Sequence, residues 1–232
     1  MLSIALGICG LAIAINYTGV FQLLELSVLD RWFCLRPDEA PEQRIVIVTM
    51  SESDLNYLQQ WPISDLVLSQ LISQIKQQEP RAIGLDLYRN LAVKPGTKKL
   101  EVVLRNTPNL IGVEKALNET IPPSPILKEQ DRVAFADLVI DVDNKIRRGL
   151  LAIQLDNGEV QLSLSTRLAL MYLAAENVEL EAVENTVAGS LGKSVFVPFS
   201  KNDGGYVRAD AGGWQILLNF RGTESSFNHH PC

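Results

Sequence analysis

The sequence predicts an α/β protein whose mixed sheet has a βαβαβ parallel core and added antiparallel hairpins, preceded by a transmembrane helix. Three observations lead to this prediction. Apolar runs of strand length alternate with helical patterns in the first half of the chain, as in parallel strands joined by right-handed crossovers. The second half contains Asp156-Asn157-Gly158 between two apolar runs, which is a strong hairpin signal. The first 24 residues carry no charged side chain.

The uncharged stretch from Met1 to Leu24 is long enough to cross a membrane. As a helix it would span about 36 Å, whereas the hydrocarbon core of a bilayer is about 30 Å thick. We therefore predict a transmembrane helix over residues 1–24. A buried core helix and a cleaved signal peptide are the alternatives. The signal peptide is disfavoured because no Lys or Arg precedes the apolar run and no A-x-A site closes it.

The first half of the body contains three apolar runs separated by helical patterns. Ser51 and Ser64 each precede a helical pattern and are typical N-cap residues. Three prolines in Glu119–Gln130 predict a surface loop there. The predicted elements are strands at Arg44–Met50, Arg81–Asp86 and Asn109–Val113, with helices after Ser51, after Ser64 and over Lys98–Arg105. The first of these strands reads as buried, because its residues are mostly β-branched.

The second half predicts short strands and one further helix. A helical repeat runs from Leu164 to Ala175, after the hairpin. The predicted strands are Val133–Ile140, Gly149–Leu155, Glu159–Leu164, Val195–Phe199, Gly205–Arg208 and Gln215–Phe220. The chain is therefore divided into a transmembrane helix at 1–24, one domain at 25–222 and a tail at 223–232.

Composition excludes several classes of function. The net charge of −6 and the pI near 5.0 argue against a general nucleic-acid binder, which needs clustered cations. The two histidines, His229 and His230, lie near the end of the chain, so a Ser-His or Cys-His nucleophile pair in the body is excluded. Three scattered cysteines do not make a disulfide framework or a metal cluster. No cofactor and no metal ion is predicted.

A few polar residues are candidates for ligand binding. Asp86 ends a predicted parallel strand, where open α/β sheets bind their ligands. A helix cap and a pair with Arg89 are the alternative roles for this carboxylate. The turn Asp141–Lys145 lacks the third oxygen ligand, the glycine and the distal Glu of a calcium loop. The cations beside this turn can pair with its carboxylates instead. The candidate residues are Asp86, Arg89, Asp137, Asp143 and Arg147.

An ordered set of motifs covers the body from about Leu24 to Gly222. The motifs are Leu29-Asp30-Arg31, Arg44-Ile-Val-Ile-Val-Thr49, Trp61-Pro62, Pro80-Arg-Ala-Ile-Gly-Leu-Asp86, Phe135-Ala-Asp137, Asp141-Val-Asp-Asn-Lys-Ile-Arg-Arg148 and Leu217-Leu-Asn-Phe-Arg-Gly222. In this order they resemble the type-2 CHASE family, the cyclase/histidine-kinase-associated sensory extracellular domains. The family turn typically carries a Gly where Asn144-Lys145 stands, and Asn tolerates the positive φ that such a turn requires.

The resemblance implies an extracytoplasmic sensory domain of a bacterial transmembrane receptor, held at the cell membrane and without enzymatic activity of its own. Such domains follow an N-terminal transmembrane helix and pass their input to a cytoplasmic cyclase, kinase or diguanylate cyclase. The expected partners are an unknown small-molecule or physical stimulus, the lipid bilayer and a second copy of the chain.

Two other functions compete with the sensory one. A membrane-anchored α/β hydrolase or transferase would use Asp86, Asp137 or Asp143, and would require a cleft in which two carboxylates converge. A binding or scaffold module without switching would instead expose an apolar patch on the body.

Overall fold

The computed structural model describes residues 10–11, 13–37, 39–184, 188–222 and 226–231. Strands and helices alternate in the first half of the chain, and strands prevail in the second. The helices are α1 (Gln22–Cys34), α2 (Glu52–Leu58), α3 (Asp65–Lys76), α4 (Thr97–Arg105), α5 (Pro125–Glu129) and α6 (Leu164–Ala174). The strands are β1 (Glu42–Thr49), β2 (Ile83–Leu85), β3 (Leu110–Glu114), β4 (Val133–Phe135), β5 (Arg148–Gln154), β6 (Val160–Leu162), β7 (Leu180–Ala182), β8 (Gly189–Leu191), β9 (Ser194–Phe196), β10 (Trp214–Leu217) and β11 (Phe227–Pro231).

The centre of the fold is a parallel sheet in the order β2-β3-β4. Ile83 and Leu85 join the main apolar core, to which α3 contributes Leu68 and Ile72. Gly84 lies between them, and a Cβ at this position would overlap Leu168 of α6. Because neighbouring residues of a strand point to opposite faces, α3 and α6 cover opposite faces of the sheet. Parallel strands with crossover helices are therefore confirmed.

The strand predicted to open the parallel core lies elsewhere. In the described residues β1 pairs with β11, also in parallel, and does not join β2. Ile45 and Val46 are about half exposed, at 49% and 53%, so the prediction of a buried strand is wrong. β-branched composition indicates a strand without indicating its neighbours, and here β4 supplies the third parallel strand. The segment 223–232, predicted to be a tail, contains β11 and so contributes to the fold.

The antiparallel strands form two further small sheets instead of one continuous mixed sheet. One has the order β10-β5-β6 and includes the predicted hairpin, whose Gly158 has φ of +86°. The other, β7-β8-β9, is a meander. A bridge between Phe135 and Ser163 connects the parallel sheet to the first of them. The α/β class with parallel and antiparallel strands is therefore confirmed. The strands that were predicted to form one mixed sheet lie in separate sheets instead.

The N-caps predicted at Ser51 and Ser64 are confirmed. Ser51 and Asp54 form a reciprocal capping box at the start of α2, and Ser64 caps α3. The predicted loop Glu119–Gln130 is wrong in its second half, because α5 begins at Pro125. Proline is tolerated in the first turn of a helix, where its missing N–H has no intrahelical partner. Gly205–Arg208, predicted as a strand, lies in turns and bends instead.

The predicted transmembrane segment is only partly described, since residues 1–9 and Ala12 lie outside the described residues. Residues 13–18 are helical, a turn follows, and α1 begins at Gln22. Gly19 takes φ of +79° in that turn. The predicted boundary at Leu24 therefore falls inside α1, which carries charged residues. No helix within the described part of the chain is long and apolar enough to span a membrane.

Helix α1 packs one of its faces on the second half of the chain. Leu26 is 1% exposed and contacts the core formed with Phe199 and Tyr206. The Gln22 side-chain oxygen accepts a hydrogen bond of 2.8 Å from the Val207 backbone N–H. The opposite face of α1 is solvent-exposed and mostly apolar. Its exposed apolar residues include Leu24, Val28 and Trp32, followed by Leu35 just after the helix, and the charged Arg31 lies among them.

Candidate functional site

A buried arginine, Arg147, joins α1 to the body. Its guanidinium donates to Asp30 of α1 from Nε (2.7 Å) and Nη2 (2.9 Å). It also donates to Asp141 from Nη1 (2.8 Å) and to Asp143 from Nη2 (2.6 Å) and Nη1 (2.9 Å). The side chain of Arg147 is only 4% exposed. Three carboxylates from two separate parts of the chain therefore share one cation.

The next residue, Arg148, extends the network into the antiparallel sheet. Its Nε and Nη2 donate to Asp141 Oδ1 at 3.0 and 2.7 Å, and its Nη1 donates to the Gln215 side chain at 2.9 Å. The guanidinium also lies 5.1 Å from the ring centre of Phe199 and 5.2 Å from that of Tyr206. The Tyr206 hydroxyl donates a hydrogen bond of 2.7 Å to Asp141 Oδ2. Asp141 is thus bound by two arginines and one phenol.

A tight turn places these side chains. The Asp141 backbone N–H donates to the Lys145 carbonyl at 2.8 Å, and the Asn144 N–H donates to the Asp141 carbonyl at 2.9 Å. Asn144 has φ of +60°, a conformation that Asn adopts more readily than most residues. Lys145 reaches out of this turn to Asp30 Oδ2 at 2.6 Å. One short segment therefore supplies most of the charges that hold α1.

The electrostatics of the network favour its ionised form. Hydrogen bonds from Arg147, and further ones from Lys145, hold the pKa of Asp30 well below its ordinary value despite some burial. Burial alone would raise the pKa of Asp141, but hydrogen bonds from Tyr206, Arg147 and Arg148 outweigh it and lower that pKa. Hydrogen bonding to Arg147 also lowers the pKa of Asp143. Burial and the bond to Asp141 raise the pKa of Tyr206.

The sequence candidates fall in separate places. Asp143 and Arg147 belong to this network. Arg89 is buried, donates to the Ile63 carbonyl at 2.8 Å and lies 3.9 Å from Asp65, so the predicted alternative of an Asp86–Arg89 pair is wrong. Asp137 accepts hydrogen bonds from the backbone N–H groups of the loop after β3, at 2.8 and 3.1 Å.

Asp86 is exposed at the end of β2. Burial raises the pKa of Tyr88, and the charges of Asp137 and Asp86 raise it further, so both carboxylates lie near this phenol. Of the sequence candidates, Asp86 and Asp137 thus lie together at the carboxyl-terminal end of the parallel sheet.

Five members of the network are not among the candidates from the sequence. They are Asp30, Asp141, Lys145, Arg148 and Tyr206. The signal that could have found two of them is the pattern of carboxylates followed by paired arginines in one turn, since buried arginines need acidic partners. Asp30 also lies in one of the motifs that carry the family resemblance.

A cleft of about 650 Å³ lies beside the network, between α1, the turn at 145–147 and the segment 217–222. Phe33 of α1 and Phe220 form an edge-to-face pair with ring centres 5.9 Å apart. Arg36 donates to the Asn219 side chain at 2.6 Å and to the Phe220 carbonyl at 3.1 Å. Arg221 donates to the Ala40 carbonyl at 3.0 Å. The segment after α1 and the segment after β10 are therefore held against each other.

Replacing Tyr206 with Phe should destabilise the body. The substitution removes a hydrogen bond to a buried carboxylate, and we expect the free energy of unfolding to fall by about 1–3 kcal/mol. Urea unfolding of the full chain in detergent, followed by tryptophan fluorescence, measures the change. Tyr57→Phe is the matched control, because the Tyr57 side chain is 88% exposed. Equal stability of the two variants would contradict the assigned role of Tyr206.

The network should also make stability depend on pH in the acid range. Carboxyl groups whose pKa is lower in the folded protein stabilise it above their unfolded pKa, and this contribution is lost as the pH falls through the folded pKa. We expect the unfolding free energy to decrease from about pH 4 to about pH 2. Asp30→Asn should make that decrease less steep, because one such group is removed. Urea titrations at stepped pH measure both slopes, and identical slopes would show that Asp30 does not contribute.

The chain matches one known protein family over most of its length. A family model described as "CHASE2 domain" matches residues 6–231, which is a longer span than the motifs alone suggest. The comparisons with curated proteins and with solved structures find no match. The matched region includes α1, the Arg147 network and β11. The chain therefore belongs to the CHASE2 family of extracellular sensory domains.

Proposed function

We propose that the chain is the extracytoplasmic input region of a transmembrane receptor, and that its stimulus acts by changing how α1 is held by the body. The observation that supports this most directly is the bidentate contact of Arg147 with Asp30 of α1. A change of the body around Arg147 would thus reach α1 through a rigid contact. A cytoplasmic cyclase or kinase of the same receptor would receive the signal.

Membrane attachment through the start of the chain is part of this proposal. Residues 1–24 carry no charge, whereas the net charge of −6 belongs to the rest of the chain. An acidic body is repelled by anionic lipid headgroups, so attachment would depend on the apolar segment. The turn before α1 would then separate the anchoring part from the water-facing part.

The competing enzymatic function has less support. Asp143 is bound by Arg147 and Asp137 by backbone N–H groups, so these carboxylates are already engaged. The family is one of sensory domains and not of catalysts. A signal requires instead that the stimulus binds two conformations with different affinity.

We further propose that the receptor is a homodimer whose second copy packs on the exposed face of α1. Leu24, Val28, Trp32 and Leu35 repeat at helical spacing on that face and are between 41% and 79% exposed. Trp32→Glu should therefore shift the chain towards monomer in analytical ultracentrifugation. Trp61→Glu is the matched control, since Trp61 is 64% exposed and lies outside α1. A wild-type chain that stays monomeric at high concentration would contradict the dimer.

The coupling between α1 and the body can be tested by hydrogen exchange on the full chain. Asp30→Asn weakens a charge-assisted contact of about 1–2 kcal/mol, so the amides of α1 should exchange roughly 5–30 times faster. The amides of β3 should be unaffected, because that strand lies in a different core. Asp156→Asn makes the same chemical change at an exposed hairpin turn and should leave α1 unchanged. Unchanged exchange in α1 of the Asp30→Asn variant would contradict the proposed route.

A further inference from the structure

The cleft between α1 and the segment 217–222 has the properties of a ligand site. Its volume of about 650 Å³ falls within the range of small-molecule pockets, about 300–1,000 Å³. Apolar side chains from both sides line it, among them Leu29, Phe33, Leu217 and Phe220. Such walls favour a ligand with a flat apolar body.

The charged groups of the cleft favour an anion. Four cations line it, namely Arg36, Lys145, Arg147 and Arg221, together with one carboxylate, Asp30. Arg36, Arg147 and Arg221 are also paired with carboxylates outside the lining, so the exposed Lys145 is the cation that an incoming anion can reach. Asp30 already accepts hydrogen bonds from both Arg147 and Lys145, so it has little capacity for a cationic ligand.

One cation in the wall, Lys145, keeps N–H donors free to bind an anion. Lys145 is 53% exposed, and among the described residues its only partner is Asp30, although an ammonium group has three N–H donors. Glu39 and Glu42, which lie behind the wall, are engaged with Arg36, Arg44 and Arg221. An incoming carboxylate would thus meet the free N–H donors of Lys145.

We infer that this cleft binds a small organic anion, a carboxylate or sulfonate carried on an apolar or aromatic body. Its anionic group contacts Lys145, and its body packs against the apolar wall that Leu29, Phe33, Leu217 and Phe220 form. A ligand held there touches α1 and the segment after β10 at the same time. The signalling meaning of such binding rests on the proposed function, whereas the binding itself does not.

The exposed thiol of Cys34 lines the cleft and can report its occupancy. The test uses the full chain in detergent with Cys9→Ser and Cys232→Ser, and measures alkylation of Cys34 by iodoacetamide by mass spectrometry. The probe is 2-naphthoate, with 2-naphthamide as its neutral counterpart. Since a pocket buries about 70–90% of a bound ligand's surface, saturating 2-naphthoate should slow alkylation about fivefold. The amide should not slow it.

Variants test whether the positive charge of Lys145 is responsible for the protection of Cys34 by 2-naphthoate. Lys145→Gln should abolish protection by 2-naphthoate, Lys145→Arg should retain it, and Lys128→Gln, at an exposed site outside the cleft, should retain it too. Leu217→Glu leaves the Lys145–Asp30 pair in place but adds a carboxylate to the wall, and it should also abolish protection.

Three results would overturn the inference. They are absence of protection by 2-naphthoate, equal protection by the amide, and protection that persists in Lys145→Gln or in Leu217→Glu. None of these results changes the hydrogen exchange expected in α1. Failure of ligand binding in the cleft and failure of the proposed coupling between α1 and the body are therefore distinguishable.

Discussion

The buried guanidinium of Arg147 is the constraint on which the arrangement of α1 and the body depends. A charge this far from water is stable only when it is paired and hydrogen-bonded. Asp30, Asp141 and Asp143 provide three negative charges, and Lys145, Arg147 and Arg148 provide three positive ones. Because Asp30 comes from α1 and the other charges come from around β5, this network is complete only when α1 is docked.

The network also determines what packs around it. Phe199 and Tyr206 stack on Arg148, and the same two rings bury Leu26 of α1. Apolar burial and charge pairing therefore act on the same helix from neighbouring positions. A displacement of α1 would disturb both, so two kinds of contact hold the helix in its observed position.

Local signals in the sequence were sufficient for the parts of the fold that form within a few residues. The caps at Ser51 and Ser64 and the turn at Gly158 are fixed by side chains or backbone angles beside them. The partner of β1 is fixed by a strand far along the chain, and composition carries no information on that choice. Likewise, Arg147 and Asp143 lie four positions apart and could be proposed together, whereas Asp30 lies 117 positions from Arg147.

The distribution of carboxylates around Arg147 explains how α1 can be both held and released. Removing the partner of a buried charge usually costs about 3–5 kcal/mol, because the charge is left unpaired. Arg147 differs in that Asp141 and Asp143 stay bound to it through the turn even when Asp30 leaves. Asp30 itself is 25% exposed and can be solvated after separation. Separation of Asp30 would therefore cost Arg147 only one of its three carboxylates, which is compatible with the proposed movement of α1 between two states.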